Sequence, residues 1–233
     1  MKTIGLLGGM SWESTLSYYS AINLGVNKTL GGLHSAKIAL YSVDFEALEK
    51  LQHAGRWEEI AEILSNAAKL VEAGGADFLL ICTNTMHKVA EKIETAISIP
   101  LIHIADTTAE ILVSDNVTCV GLLGTKFTME QSFYKGRISE KYGIEVIVPA
   151  EDDRAIVHDV IYSELCHGII NANARDEYIR IVEDLYAQGA EAVILGCTEI
   201  ALLIQQQHTD VPLYDTTQLH AAEAVRLATV NSQ

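Results

Sequence analysis

The chain repeats itself. IGLLGG at 4–9 returns as VGLLGT at 120–125, an offset of 116, and AGGADFLLICTNT at 73–85 returns as AQGAEAVILGCTE at 187–199, an offset of 114. IPL at 99–101 matches VPL at 211–213, and Asp106-Thr107-Thr108 echoes Asp215-Thr216-Thr217. Blocks matched in the same order are the mark of a duplicated structural unit. The offset leaves each copy enough chain for a small domain with its own core. Few folds accept such a pair.

Inside each half, strand-like runs alternate with helix-like ones. KTIGLLG, AKIALYSVD, DFLLI and PLIHI come first, then VTCVGLLG, IEVIV, EAVIL and PLY, all short and rich in Ile, Leu and Val. Between two of the first set, WEEIAEILSNAAKLVEAGG at 57–75 sets Ile60, Ile63, Leu64, Ala67, Leu70 and Val71 at helical spacing, and Gly74-Gly75 supplies a stop. Repeated β-α-β units imply parallel strands with helices on both faces. The expectation is therefore α/β: two pseudo-symmetric lobes with parallel sheets facing across a cleft. The first takes 1–112 plus 210–233 and the second 113–209. In such sheets ligands sit beyond the carboxyl ends of the strands.

Charge narrows the partners. Sixteen Lys and Arg against 31 Asp and Glu give a formal charge of −15, which argues against nucleic acid, where cationic contacts to phosphate dominate binding. No run approaches the roughly 18 apolar residues of a membrane span, so no membrane partner is expected. MKTIGLLGGMSWEST reads as a first strand rather than a signal peptide, which points to a cytoplasmic protein. Cys82, Cys119, Cys166 and Cys197 lie far apart with no CxxC pair, and read as free thiols. The eight histidines form no HExxH, and Cys166-His167 would project in different directions from a helix, so no metal is expected. Neither GLLGGM nor GLLGTKFT fits a nucleotide-binding glycine motif.

The duplicated block isolates two residues. At offset 114, Cys197 falls opposite Thr83, and Cys82 falls opposite Gly196. A shift of one residue near a strand end turns a side chain to the other face. Thr83 therefore points where Cys197 points, and Cys82 is expected to be buried behind it.

GLLGGMSWEST, CTNTMH at 82–87, GLLGT at 121–125 and GCTE at 196–199 resemble the cofactor-independent aspartate/glutamate racemase family over nearly the whole chain. The CTNTMH and SWEST forms are most similar to its L-aspartate/glutamate-specific subgroup in enteric bacteria. The resemblance implies Rossmann-like lobes, a homodimer, no cofactor, and two cysteines flanking the substrate Cα, the second-half one serving the L-face. Here Thr83 stands in place of the first cysteine. Racemisation takes a proton from one face and returns one to the other, so two acid/base groups are needed. Cysteine, with a reference pKa of about 8.5, makes both thiol and thiolate accessible. Thr83 and Cys197 are thus the expected catalytic pair, with an aspartate or glutamate substrate.

Asn84, Thr85, Thr198 and Glu199 are expected at helix starts, where exposed N–H groups bind carboxylates. Met10, with Gly8 and Gly9, ends the first strand where the family holds substrate. Gln52, in an expected loop, touches substrate by resemblance, and Thr125, the repeat partner of Gly9, is a similar candidate. His87 is expected to orient or cap. Trp12 and Tyr18-Tyr19 are assigned to the core or a subunit interface. Two other readings stay open: a single-cysteine arylmalonate-type decarboxylase on the same scaffold, and a non-catalytic amino-acid-binding protein.

Overall fold

The computed structural model describes residues 1–230. In chain order the elements are β1 (Ile4–Gly8), α1 (Trp12–Leu30), β2 (Ile38–Ser42), α2 (Phe45–His53), α3 (Trp57–Ala73), β3 (Phe78–Ile81), α4 (Ala90–Ala96) and α5 (Ile104–Ser114). There follow β4 (Cys119–Leu123), α6 (Lys126–Glu130), α7 (Ser132–Tyr142), β5 (Glu145–Ile147), α8 (Glu151–Ser163), α9 (Ala172–Ala187), β6 (Ala192–Leu195), α10 (Ile200–Leu203), β7 (Leu213–Asp215) and α11 (Thr216–Thr229). They form two compact units, Met1–Ile104 with the segment from His220 on, and Ala105–Leu219.

The first unit is built on a parallel sheet ordered β2-β1-β3. Alternation along β1 and β3 sends Ile4, Leu6, Phe78, Leu80 and Cys82 to one face, where they meet Tyr18, Ile22 and Val26 of α1 and Ala221, Ala224 and Val225 of α11. Leu7, Leu79 and Ile81 go to the other face, against Leu48 of α2, Leu64 and Val71 of α3, and Ile93 of α4. A strand buried on both faces must be apolar throughout, which is why IGLLG shows no polar alternation. Ser11 and Asp44 cap α1 and α2 by accepting from the Ser14 and Glu46 N–H groups.

The second unit repeats the plan in the order β5-β4-β6-β7, again parallel. Its fourth strand has only a trace in the first unit. PLIHI, expected as a strand, forms one bridge, Leu79 with Leu101. The equivalence is still visible: Leu79 N–H donates to the Pro100 carbonyl, and Val193 N–H to that of Pro212, each at 2.8 Å.

The units divide at 104/105 and 219/220, not at 112/113 and 209/210. Pairing explains the shift. Residues 213–215 stay with the second unit because β7 pairs with β6 and Thr216 Oγ1 donates to the Leu195 carbonyl at 2.9 Å. Residues 105–112 stay there too, because Asp106 forms ion pairs with Arg137 and Lys141.

Candidate active site

The β1–β3 ladder ends at Leu7 opposite Ile81, and one further bond, Cys82 N–H to the Leu7 carbonyl at 2.9 Å, closes it. Cys82 is fully buried on the α1 face, where burial alone pushes its thiol up. Ser14 Oγ on α1 donates to the Cys82 carbonyl at 2.6 Å and pins the turn. Thr83 comes next and is partly exposed between buried neighbours on either side. Behind it, the His87 ring bridges two backbone groups, with Nδ1 2.8 Å from the Thr83 carbonyl and Nε2 accepting from the Ile104 N–H at 3.3 Å. Those partners assign the tautomer: a carbonyl can only accept, so Nδ1 carries the proton. His87 thus grips the Thr83 backbone, not its hydroxyl.

Two more buried histidines stand behind it. The rings of His103 and His220 lie 4.5 and 6.1 Å from that of His87. His220 Nε2–H donates to the Ile102 carbonyl and Nδ1 accepts from Tyr18 Oη, both at 2.8 Å. Burial, and then His87 nearby, push His220 down to about 3, so it is neutral.

The second unit closes its ladder in the same way. After Leu123 opposite Leu195, Gly196 N–H donates to the Leu123 carbonyl at 2.6 Å. Cys197 follows, one residue past that bond and partly exposed between buried neighbours, as Thr83 is. The side chains at 82 and 196 differ for a steric reason. A Cβ on Gly196 would lie 2.7 Å from the Leu123 carbonyl oxygen and 2.9 Å from Leu122 Cδ1.

Cys197 Sγ–H donates to Glu199 Oε2 at 2.9 Å, and Thr198 Oγ1 donates to the same oxygen at 2.6 Å. Burial first, then the Glu199 charge and Cys166, push the Cys197 thiol well above its ordinary value. It rests as a thiol whose hydrogen bond already points at a carboxylate. A thiolate formed there is scarce but strongly basic.

The other expected residues fall into three groups. Asn84 and Thr85 are buried just after β3, and Thr198 and Glu199 just after β6. Thr125 is buried just after β4, where its hydroxyl caps α6 by accepting from the Thr128 N–H at 3.4 Å. These stand at the carboxyl ends of the strands of their own units, as expected. Met10 follows β1, but its side chain is buried in the core cluster with Leu7 and Leu48. Gln52 is not in a loop: it is buried on α2, because Asp44 caps that helix and Leu48 anchors it.

The expected helix starts are also shorter than the sequence implies. Thr85–Val89 is a five-residue 3-10 helix and α10 has four residues, too little chain for a macrodipole. Any carboxylate held there depends on individual N–H and hydroxyl groups.

Ser14, Thr15, His103, His220 and Thr216 were not singled out from the sequence for these supporting roles. Thr15 Oγ1 accepts from the Gly9 N–H at 2.7 Å, at a glycine whose φ of +92° suits no L side chain. Only Thr216 carried a signal, in the repeated Asp-Thr-Thr. Among the described residues no group of three or more His, Cys, Asp and Glu could hold a metal ion, and no helix is long and apolar enough to cross a membrane.

A family profile described as Asp/Glu/hydantoin racemase matches residues 7–224. The chain is similar to a crystal structure of a candidate Asp/Glu racemase from Yersinia pestis, with 54% identity, coverage of 98% of this chain and 99% of that one, and a TM-score of 0.92. It is also similar to an aspartate racemase homologue from Pyrococcus horikoshii OT3, at 33% identity, covering 98% and 100%, with a TM-score of 0.84. Among characterised sequences, the broad-specificity amino-acid racemase RacX of Bacillus subtilis is 24% identical over 230 residues, 95% of this chain and 96% of that protein.

Proposed function

Because the chain belongs to the Asp/Glu/hydantoin racemase family, we propose that it interconverts the L- and D-forms of a small acidic amino acid, aspartate or glutamate, by moving the Cα proton without a cofactor. The observation that carries this reading is the equivalence of Thr83 and Cys197, each one residue beyond the same closing bond of its own sheet. Two acid/base groups at matched positions of a duplicated fold suit a reaction that exchanges a proton between two faces of one carbon.

The cycle begins with the Cys197 thiol passing its proton to Glu199. The thiolate then takes the α-proton of the L-isomer, and backbone N–H groups and the hydroxyls of Thr85, Thr125 and Thr198 stabilise the carboxylate of the resulting carbanion. Thr83 Oγ1–H returns a proton to the opposite face, and the cycle closes when the alkoxide left on Thr83 takes a proton from solvent while Glu199 gives solvent the one it received. The raised affinity of the thiol for its proton helps here, since a stronger base is better matched to a weakly acidic Cα–H. Met10, Gln52 and Asn84 belong to the substrate-binding side of this proposal.

An alkoxide on Thr83 is far scarcer than a thiolate on Cys197, so abstraction from the D-isomer is the harder direction. Mirror symmetry sets the equilibrium constant at one, and kcat/KM must then match in both directions. The asymmetry can show only as α-proton exchange outrunning inversion, or as unequal kcat and KM.

The test incubates L- and D-aspartate, then L- and D-glutamate, separately with the protein in D2O. Proton NMR follows loss of the α-H and chiral chromatography follows inversion. The expected result is rapid exchange from the L-isomer, slower inversion, and loss of both in Cys197→Ala. Binding without exchange would indicate a sensor. Failure to act on amino acids with turnover of an arylmalonate would indicate a decarboxylase.

A further inference from the structure

Thr83 is held by its backbone on both sides. Ser14 Oγ donates at 2.6 Å to the carbonyl before it, on Cys82, and the His87 ring donates to its own carbonyl at 2.8 Å. A residue has two soft backbone dihedrals, so pinning the peptide on either side fixes where its Cα–Cβ bond points. Threonine is branched at Cβ and stiff at χ1, so the direction of Oγ1 follows from that backbone. The His87 backbone N–H donates to the Asn84 carbonyl at 3.1 Å, and its ring reaches one residue further back, to Thr83.

The repeat shows that this clamp belongs to one half. At offset 114 the place of His87 is taken by Ala201, whose methyl group can donate nothing. There the Ile200 N–H donates to the Cys197 carbonyl at 3.1 Å, and Cys197 is steered through its own thiol, by Glu199. A hydroxyl that delivers a proton to a carbanion has little latitude, since a misplacement of about 1 Å can cost ~10²-fold in rate.

The far side of the His87 ring is anchored where the chain leaves the unit. Nε2 accepts from the N–H of Ile104, the last residue of the first unit before the chain passes to the second. His220 is the first residue after the chain returns, and its Nε2–H holds the Ile102 carbonyl. The Ile102 N–H donates to the Leu79 carbonyl in β3 at 2.9 Å. His103 sets its ring against that of His87, and Tyr18 Oη fixes His220 from α1. All three histidines are buried. The Thr83 turn and both passages of the chain are thus tied into one block, with His87 as the link.

We propose that His87 is a positioning residue for the Thr83 face of the reaction: its Nδ1–H sets the place of Thr83 Oγ1, and inversion depends on it while exchange at Cys197 does not. The proposal rests on the racemase reading above. In D2O, L-aspartate or L-glutamate reports α-proton exchange and inversion in one sample, so their ratio cancels differences in binding and in the fraction of folded protein. His87→Gln keeps an acceptor at the place of Nε2 and loses the Nδ1–H. His87→Asn keeps a donor at the place of Nδ1 and loses the Nε2 acceptor. Inversion relative to exchange should fall by ~10²-fold in His87→Gln and stay near the unmutated ratio in His87→Asn. An unchanged ratio in His87→Gln overturns the proposal, and so does an equal fall in both variants. On the unmutated protein, a long-range proton–nitrogen spectrum of labelled histidine should show opposite neutral tautomers, Nδ1–H for His87 and Nε2–H for His220. A proton on His87 Nε2 also overturns the proposal. Absence of any α-proton exchange in the unmutated protein removes the racemase reading and this proposal with it, whereas exchange with an insensitive ratio removes this proposal alone.

Discussion

At Cys197 one neighbour does two opposed things. The Glu199 charge disfavours the thiolate, yet its Oε2 is the acceptor that can take the thiol proton. Glu199→Gln separates the two effects. It removes the base, so racemisation should fall by about 10²–10⁴-fold. It also removes the charge, so iodoacetamide should label Cys197 faster than in the unmutated protein at the same pH. Unchanged turnover would remove Glu199 from the mechanism, and slower labelling would refute the electrostatic account. Labelling of the unmutated Cys197 should keep rising with pH beyond the ordinary thiol range, because its proton is held more tightly than usual. Peptide mass spectrometry should find Cys82 the more resistant of the two. The register that sets Thr83, not Cys82, at the place matching that of Cys197 was legible from the offset of 114 alone. The grip of Glu199 on Cys197 was not, because a spacing of two residues does not say where either side chain turns.

Turns at the strand ends show how two copies of one element diverge. Position 82 holds a cysteine in a pocket of α1 side chains, and position 196 a glycine pressed on the β4 backbone. Gly196→Cys, which copies the first turn into the second, should cost about 1–3 kcal/mol or more through overpacking. Cys82→Ala should cost about 1–2 kcal/mol and leave α-proton exchange running. Urea denaturation and the D2O assay together check both. If Cys82→Ala abolished exchange, the buried thiol would have to be restored to the mechanism. Strand-like runs exposed β1 to β7, and helical spacing gave α3 almost to the residue, while α2 and most of the other helices went unread. The short starts after β3 and β6 escaped, because Asn and Thr offer the backbone competing local bonds, and the His87 clamp on the first turn comes from a ring whose partners lie 4 and 17 residues away.

Stability belongs to the whole molecule, and His220 ties part of it to pH. An ordinary histidine in the unfolded chain takes up its proton near 6.5, whereas the folded site accepts one only near 3. The depressed folded value means that this contribution is complete above 6.5 and is lost as pH falls toward 3, by on the order of a few kcal/mol. His220→Gln should be less stable at pH 7.5 but lose less on acidification to pH 5 than the unmutated protein. Equal losses in urea midpoint would show that other groups govern the acid limb. By itself the sequence determined the α/β class, the duplication, the parallel strands and the matched places of Thr83 and Cys197. Periodicity and repetition are properties of neighbouring residues and survive in one dimension. Tertiary structure decided that residues 105–112 and 210–219 join the second unit, that Gln52 is buried on a helix, and that His220 seats against Tyr18 across 202 positions. Those outcomes depend on which surfaces meet and which way each side chain must turn to satisfy its polar atoms once buried, and only the packed chain sets that.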